Sequence, residues 1–282
     1  MRRCLALCIC AGIPAFLAAA GALGADYYVN DSTPEPPFAA GHNGNSGTSP
    51  AEPTAGIQAL LDRYPNIGAG DTVHVSAGTY IENIVVGESH NGITLSGASS
   101  GSTIIDGGLR GRCISIGHGT ITGFTIINGN APDGGGILVQ ARCCEVPDPA
   151  AEVLITGNII TGNRASSNGG GIFVSSHSDE TAVAIPVRIT GNTIWENKAS
   201  NGGGIYSSAF LGSVSIVDNA IVHNTANYCA GLAVYCADGS QDICNNVISA
   251  NDSLNEGGGL GVFGFAVYTR PDVVVCCGQL HS

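Results

Sequence analysis

Apolar residues come in short pulses along most of this chain, and few pulses are long enough to build a globular helix. "ITGNTIWENKASNGGGIY" (189–206) shows the pattern: Ile189, Ile194 and Ile205 each open a brief strand-like stretch, with Asn192, Asn197 and a run of glycines between them. The same phrase recurs as "ITGNIITGNRASSNGGGIFV" from Ile155, "IVDNAIVHNTANYCAGLAVY" from Ile216 and "ICNNVISANDSLNEGGGLGVF" from Ile243. A blurred first copy, "ITGFTIINGNAPDGGGILV", starts at Ile121. Gly and Asn readily take the left-handed backbone of a sharp corner. Short strands at a fixed period, divided by such corners, predict the coils of a solenoid.

Aligning the copies makes Phe124, Asn158, Asn192, Asn219 and Asn246 equivalent, with Asn163, Asn197, Asn224 and Asn251 as a second row. Successive coils stacked in parallel, about 4.8 Å apart, put like residue on like. Ile172, Ile205, Leu232 and Leu260 then form one inward ladder, and Ile160, Ile194, Ile221 and Ile248 another. Stacked asparagine amides would satisfy backbone groups that the bends leave unpaired. Two coils carry extra loop, "QARCCEVPDPAAE" (140–152) and "SSHSDETAVAIP" (175–186), and both inserts are expected on one edge of the stack. Upstream, "DTVHV" (71–75), "NIVV" (83–86), "ITLSG" (93–97), "STIIDG" (102–107) and "CISIG" (113–117) read as further short strands. "TAGIQALLDRY" (54–64) puts Ile57, Leu60, Leu61 and Tyr64 on one helical face, which predicts a short helix capping the first coil.

The ends divide the 282 residues further. Residues 1–25 read as an export signal, with Arg2 and Arg3 before an apolar run and small residues near Gly24; an uncleaved anchor is the alternative. Residues 26–53, rich in Pro, Gly, Ser and Asn, are expected to be an irregular lead-in, 54–265 the solenoid, and 266–282 a poorly defined tail. The abrupt end is expected of a fragment of a larger surface or autotransported protein. No later segment is long and apolar enough to span a bilayer. Charged residues make up 11% and the net charge is −12, which argues against nucleic acid and anionic membrane surfaces as partners. Of 11 cysteines, Cys4, Cys8 and Cys10 fall in the signal, and the rest can oxidise in an exported chain. With neither a CxxC pair nor zinc-type spacing, no metal or other cofactor is expected. Cys236 and Cys244 bracket a short loop and are expected to form a bridge, with Cys229 as the rival partner.

"GDTVHVSAGTYIENIVV", "ITLSGA", "TIIDG" and "ITGFTIING" together resemble the N-terminal half of exported bacterial right-handed parallel β-helix proteins of the pectate-lyase-like superfamily. The Asn-rich turns followed by GGGI also resemble repeats of polymorphic outer-membrane proteins and related surface adhesins. The resemblance covers roughly residues 26–265. It implies an all-β, right-handed, single-stranded parallel β-helix with an N-terminal capping helix, secreted or held at the cell surface. It leaves function open, because lyases, hydrolases, epimerases and non-catalytic surface proteins share the architecture.

Four features bear on chemistry. "GHG" at 117–119 occurs in pectin-hydrolysing relatives beside Asn-Thr-Asp, Asp-Asp and Arg-x-Lys strings that this chain lacks, so His118 is expected in a turn. "GLGVFG" (259–264) fits a nucleotide-loop pattern but lies inside a repeat with no helix after it. Stacking gathers Arg164, Glu196, Lys198 and His223 along one edge, where a polyuronate lyase would need a base and positive charge; a solvated edge is the competing reading. Alternation turns Phe173 and Tyr206 outward in a column with Leu138, a candidate surface for polysaccharide or surface glycan, unless the two inserted loops fold over it. The expected function is non-catalytic adhesion or glycan contact, with a polysaccharide lyase or another carbohydrate-active enzyme as the alternative.

Overall fold

Alternation within each pulse decides which side chains enter the core. In residues 187–210, Val187, Ile189, Ile194, Ile205, Ser207 and Ala209 are buried, and their strand neighbours face outward. The computed structural model describes residues 24–31, 33, 36–143, 151–177, 183–237, 239–264 and 272–276. Nearly all of the expected export signal and most of the 266–282 tail lie outside these residues.

Repetition of that coil builds a right-handed parallel β-helix of three sheets. Sheet I has 9 strands, from Asp26–Val29 through Val187–Thr190 to Asp272–Cys276. Sheet II has 7, from Gly78–Ile81 to Val247–Ser249, and sheet III has 7, from Ile84–Val86 to Leu260–Gly264. The first strand of sheet I falls inside the segment expected to be irregular; Asp26–Val29 pairs in register with Thr72–Val75. Both isoleucine ladders are present and run further than the repeat suggested. One passes from Ile84 through Ile114 and Ile137 to Leu260, the other from Tyr80 through Ile105 and Ile126 to Ile248. Burial of each such side chain contributes about 1.5–3 kcal/mol, so the ladders dominate cohesion between coils.

From Ile121 onward each coil turns three corners on its way from sheet I to sheet III, and each of these corners places one residue in the left-handed region. Between sheets I and II these are Gly157, Gly191, Asp218 and Asn245; at the second corner they are Gly162, Glu196, His223 and Ala250. Gly134, Gly169, Gly202, Cys229 and Gly257 take the third. A ladder asparagine directly follows each of the first two corners. Asn192 Nδ2 donates to Ile155 O at 2.8 Å and to Asn219 Oδ1 at 3.0 Å, while Asn192 Oδ1 accepts from Asn158 N at 3.0 Å. The second row, Asn163 to Asn251, repeats this geometry. Coil spacings of 34 and 27 residues give the same bonds, so the inserts leave the corners undisturbed. Both rows begin on backbone: Phe124 N and Gly129 N donate to Asn158 and Asn163.

The predicted cap is helix α1 (Ile57–Arg63), with Ile57, Leu60 and Leu61 buried. Its first amides are met from the solenoid, Ile57 N and Gln58 N donating to the Glu82 carboxylate at 3.0 and 2.8 Å. The two inserts leave sheet III on one edge, as expected, and clip together where Arg142–Cys143 pairs antiparallel with Val183–Ala184. Among the described residues no helix is long and apolar enough to cross a membrane.

Candidate functional site

The second corner brings the four candidate catalytic residues to one edge without assembling them into a site. Arg164 and Lys198 bridge in parallel on adjacent coils, and Thr225 and Asp252 continue their column. Glu196 and His223 occupy the left-handed position taken by Gly162 one coil earlier, so the fold uses them as corner residues. All four side chains are exposed. Among the described residues the one contact at salt-bridge distance is His74 Nε2 with Asp26 Oδ1 at 2.8 Å, on sheet I, so Arg164 and Glu196 are not paired with each other. No group of three His, Cys, Asp or Glu side chains gathers among the described residues.

The outer face of sheet III is organised differently. With Ile172, Val174 and Ser176 buried, Phe173, Ser175 and His177 face out, and Tyr206, Ser208 and Phe210 pair with them in register. The Phe173 and Tyr206 rings stack at 5.5 Å and 16°, and those of His177 and Phe210 at 6.1 Å and 27°. Tyr235 and Phe263 are register partners one and two coils further on. Leu138, in register below Phe173, is buried. Because the Phe173 and Tyr206 rings are nearly parallel, each covers one face of the other and their edges point outward. Burial, with Tyr235 and Asp133 nearby, raises the Tyr206 phenol above its ordinary range and keeps it a neutral donor. Phe210 and Phe263 are exposed, at 37% and 49%, and His177 is exposed as well. From Ser115 to Phe263 the outward positions of this sheet include no Asp, Glu, Lys or Arg.

Sequence reasoning found Phe173 and Tyr206 but missed the other two pairs. The signal was present, since His177 and Phe210 follow the same alternation four residues on. Parts of both inserts, 144–150 and 178–182, lie outside the described residues; Phe173 and Tyr206 are half-buried.

A polar row borders this face at the third corner. Asn168 N and Nδ2 donate to Asp133 Oδ1 at 3.1 and 2.9 Å, and Asn201 Nδ2 donates to Asn168 Oδ1 at 2.9 Å. A separate cleft of about 270 Å³ lies beside α1, lined by Asp31, Asn43, Tyr80 and Glu82. Its polar groups are already engaged: Glu82 caps the helix, Asn43 Oδ1 accepts from Ala55 and Gly56, and Tyr80 bonds Ser76. Burial raises the Glu82 carboxyl pKa, opposed by its bonds from Gln58 and Ile57.

His118 sits in the bend before Gly119–Thr122, and Leu260–Gly264 is a strand of sheet III, so neither motif-like string forms a ligand loop. The expected Cys236–Cys244 bridge does not fit the topology. Cys236 is the penultimate residue of a strand of sheet III, at the register position of buried Ala209, whereas Cys244 ends a strand of sheet I beside Val217 and its Sγ donates to Asp242 Oδ1 at 3.0 Å. The Cys236 side chain lies outside the described set; Cys113, Cys229 and Cys244, whose side chains are described, are not joined to one another.

The fold and this surface define a class: a parallel β-helix with an uncharged, aromatic outer sheet and exposed corner residues. No protein-family model, curated protein or solved structure matches the chain.

Proposed function

We propose that this is an exported, non-catalytic β-helix protein that acts outside the cell or at its surface, with the outer face of sheet III as its contact surface for glycan. The observation that carries this reading is the concentration of three aromatic pairs on a sheet face without Asp, Glu, Lys or Arg, in a chain of net charge −12. Aromatic side chains that stay accessible on one face, as Phe210 and Phe263 do, mark interaction sites, and aromatic edges beside serine hydroxyls and the neutral Tyr206 phenol suit a hydroxyl-rich ligand. The resemblance to pectate-lyase-like β-helices and polymorphic outer-membrane repeats supports export and a surface role. It also supplies the second reading, a polysaccharide lyase working at the Lys198 edge, which the adjacency of Arg164 and Lys198 favours.

Glycan-array binding run beside an assay for unsaturated uronate product separates the two. Contact at sheet III predicts binding that Phe210→Ala and Phe263→Ala weaken at least tenfold, no product, and no effect of Lys198→Ala. Product formation abolished by Lys198→Ala would replace this reading with the lyase.

A further inference from the structure

Three outward columns run across the face of sheet III, and the middle one differs from its flanks. Phe173 stacks with Tyr206 on one side and His177 with Phe210 on the other, while Ser175 and Ser208 stand between them, in register with each other. Successive outward residues of a strand are about 6.6 Å apart, so roughly 13 Å separates the backbones beneath the two ring columns. Serines between paired rings leave a slot two coils tall, with aromatic walls and a polar floor. Ser175 Oγ and His177 Nδ1 share a hydrogen bond at 2.8 Å, which ties the floor to one wall. Gln140 precedes Ser175 in the same column and is exposed. Neither its amide nor the Ser208 hydroxyl has a hydrogen-bond partner among the described residues. Past Ser208 the column continues through Tyr235 to Phe263. Four coil spacings, from Gln140 to Phe263, make a straight track of about 19 Å along the stack.

We infer that this column seats one linear, uncharged glycan chain lying parallel to the stack axis, with part of the chain in the serine slot. The inference rests on the reading of sheet III as a glycan contact surface and adds which kind of chain the surface takes. Walls that stand two strand repeats to either side admit a single file of sugar rings and exclude a branch at the slot. The free Gln140 amide and Ser208 hydroxyl can each donate and accept, which matches sugar hydroxyls that do both. A uronate chain would instead bring carboxylates to a face without Lys or Arg, where desolvating an unpaired charge is costly. Asp133 at the bordering corner and the net charge of −12 oppose an acidic chain further. A straight column also calls for a chain whose units repeat in a straight line, and at its far end the exposed Phe263 ring supplies apolar surface for one further unit.

The test titrates the purified full chain with β-1,4-linked glucose, mannose and xylose oligomers of increasing length, and with galacturonate oligomers of the same lengths. The expected result is binding by an uncharged series that tightens until the oligomer spans about 19 Å and then levels off, with the uronates at least tenfold weaker. Ser208→Ala removes one hydroxyl and should weaken the best oligomer about threefold. Ser208→Tyr fills the slot and should weaken it at least tenfold. Tyrosine already occupies the next position of this column, at Tyr235, so Ser208→Tyr should keep the parent unfolding midpoint. No binding by any uncharged series, uronates bound as tightly as uncharged chains, or full affinity in both Ser208 variants overturns the inference. If Phe210→Ala and Phe263→Ala weaken binding while the Ser208 variants do not, sheet III keeps its role and only this seat is wrong. If none of these variants changes binding, the reading of sheet III falls with it.

Discussion

Asn192→Ala tests how the coils are held together. Asn192 is 2% exposed, and its amide donates to Ile155 O, Thr190 O and Asn219 Oδ1 while accepting from Asn158 N and Nδ2. Alanine leaves Asn158 N and Ile155 O without these partners inside the stack. Each buried group left unsatisfied costs about 1–3 kcal/mol, so the substitution should cost roughly 3–5 kcal/mol. Asn246→Ala is the internal control. It removes the same kind of amide where exposure is already 7%, so water can replace some bonds and about 1–2 kcal/mol is expected. The chain has 1 tryptophan, Trp195, in the same coil as Asn192. Urea unfolding followed by its fluorescence and by circular dichroism measures both variants. A cost below about 1 kcal/mol for Asn192→Ala, or equal costs at the two positions, would refute the view that buried amide rows hold the corners.

Two glycines separate backbone strain from steric contact. Gly191 has φ +66 and its nearest atom to an added Cβ is Thr156 Oγ1 at 3.9 Å, so Gly191→Ala should cost only about 1–2 kcal/mol by thermal unfolding. At Gly204 an added Cβ would lie 2.6 Å from Gly231 O and 2.9 Å from Ile221 Cγ2, so Gly204→Ala should cost about 3 kcal/mol or more, and near-equal losses would contradict the assignment. The Tyr80 phenol is pushed from 10.0 up to about 12, chiefly by burial. Its folded-state value is raised, so the associated stability is complete below pH 10 and is lost as pH rises from 10 to about 12. Tyr80→Phe should flatten that part of the stability–pH curve, and an unchanged slope would argue against a buried phenol. Lys198→Ala should alter unfolding free energy by less than about 0.5 kcal/mol, as for an exposed side chain without a partner; a loss above 1 kcal/mol would expose a missed interaction.

The legible parts of this fold are those where residue identity repeats from coil to coil. Isoleucine over isoleucine and asparagine over asparagine gave the ladders, their register and the equivalence of Phe124 with the asparagine row, because each position sees the same surroundings in every copy. The helical cap was readable from the spacing of Ile57, Leu60 and Leu61, but its carboxylate partner was not, since Glu82 arrives from another coil through three-dimensional packing. Glu196 and His223 looked chemical because their residue types differ from Gly162 and Ala250; the structure shows one backbone conformation at all four. Left-handed positions tolerate several side chains at modest cost, so composition alone did not reveal that these residues stand at a corner. Cys236 and Cys244 are close in sequence yet lie in strands of different sheets, and short loop length said nothing about which sheet each would join.

The proposal at the centre of the account is contact through the outer face of sheet III, set against a lyase working at the Lys198 edge. The most direct measurement is titration of the purified chain and its Phe210→Ala/Phe263→Ala variant against the strongest glycan-array hit, with product absorbance recorded in the same samples. The account predicts saturable binding by the parent, at least tenfold weaker binding by the double variant with an unchanged unfolding midpoint, and no unsaturated product. Equal affinity for the two proteins, or product released by the parent and lost in Lys198→Ala, would contradict it.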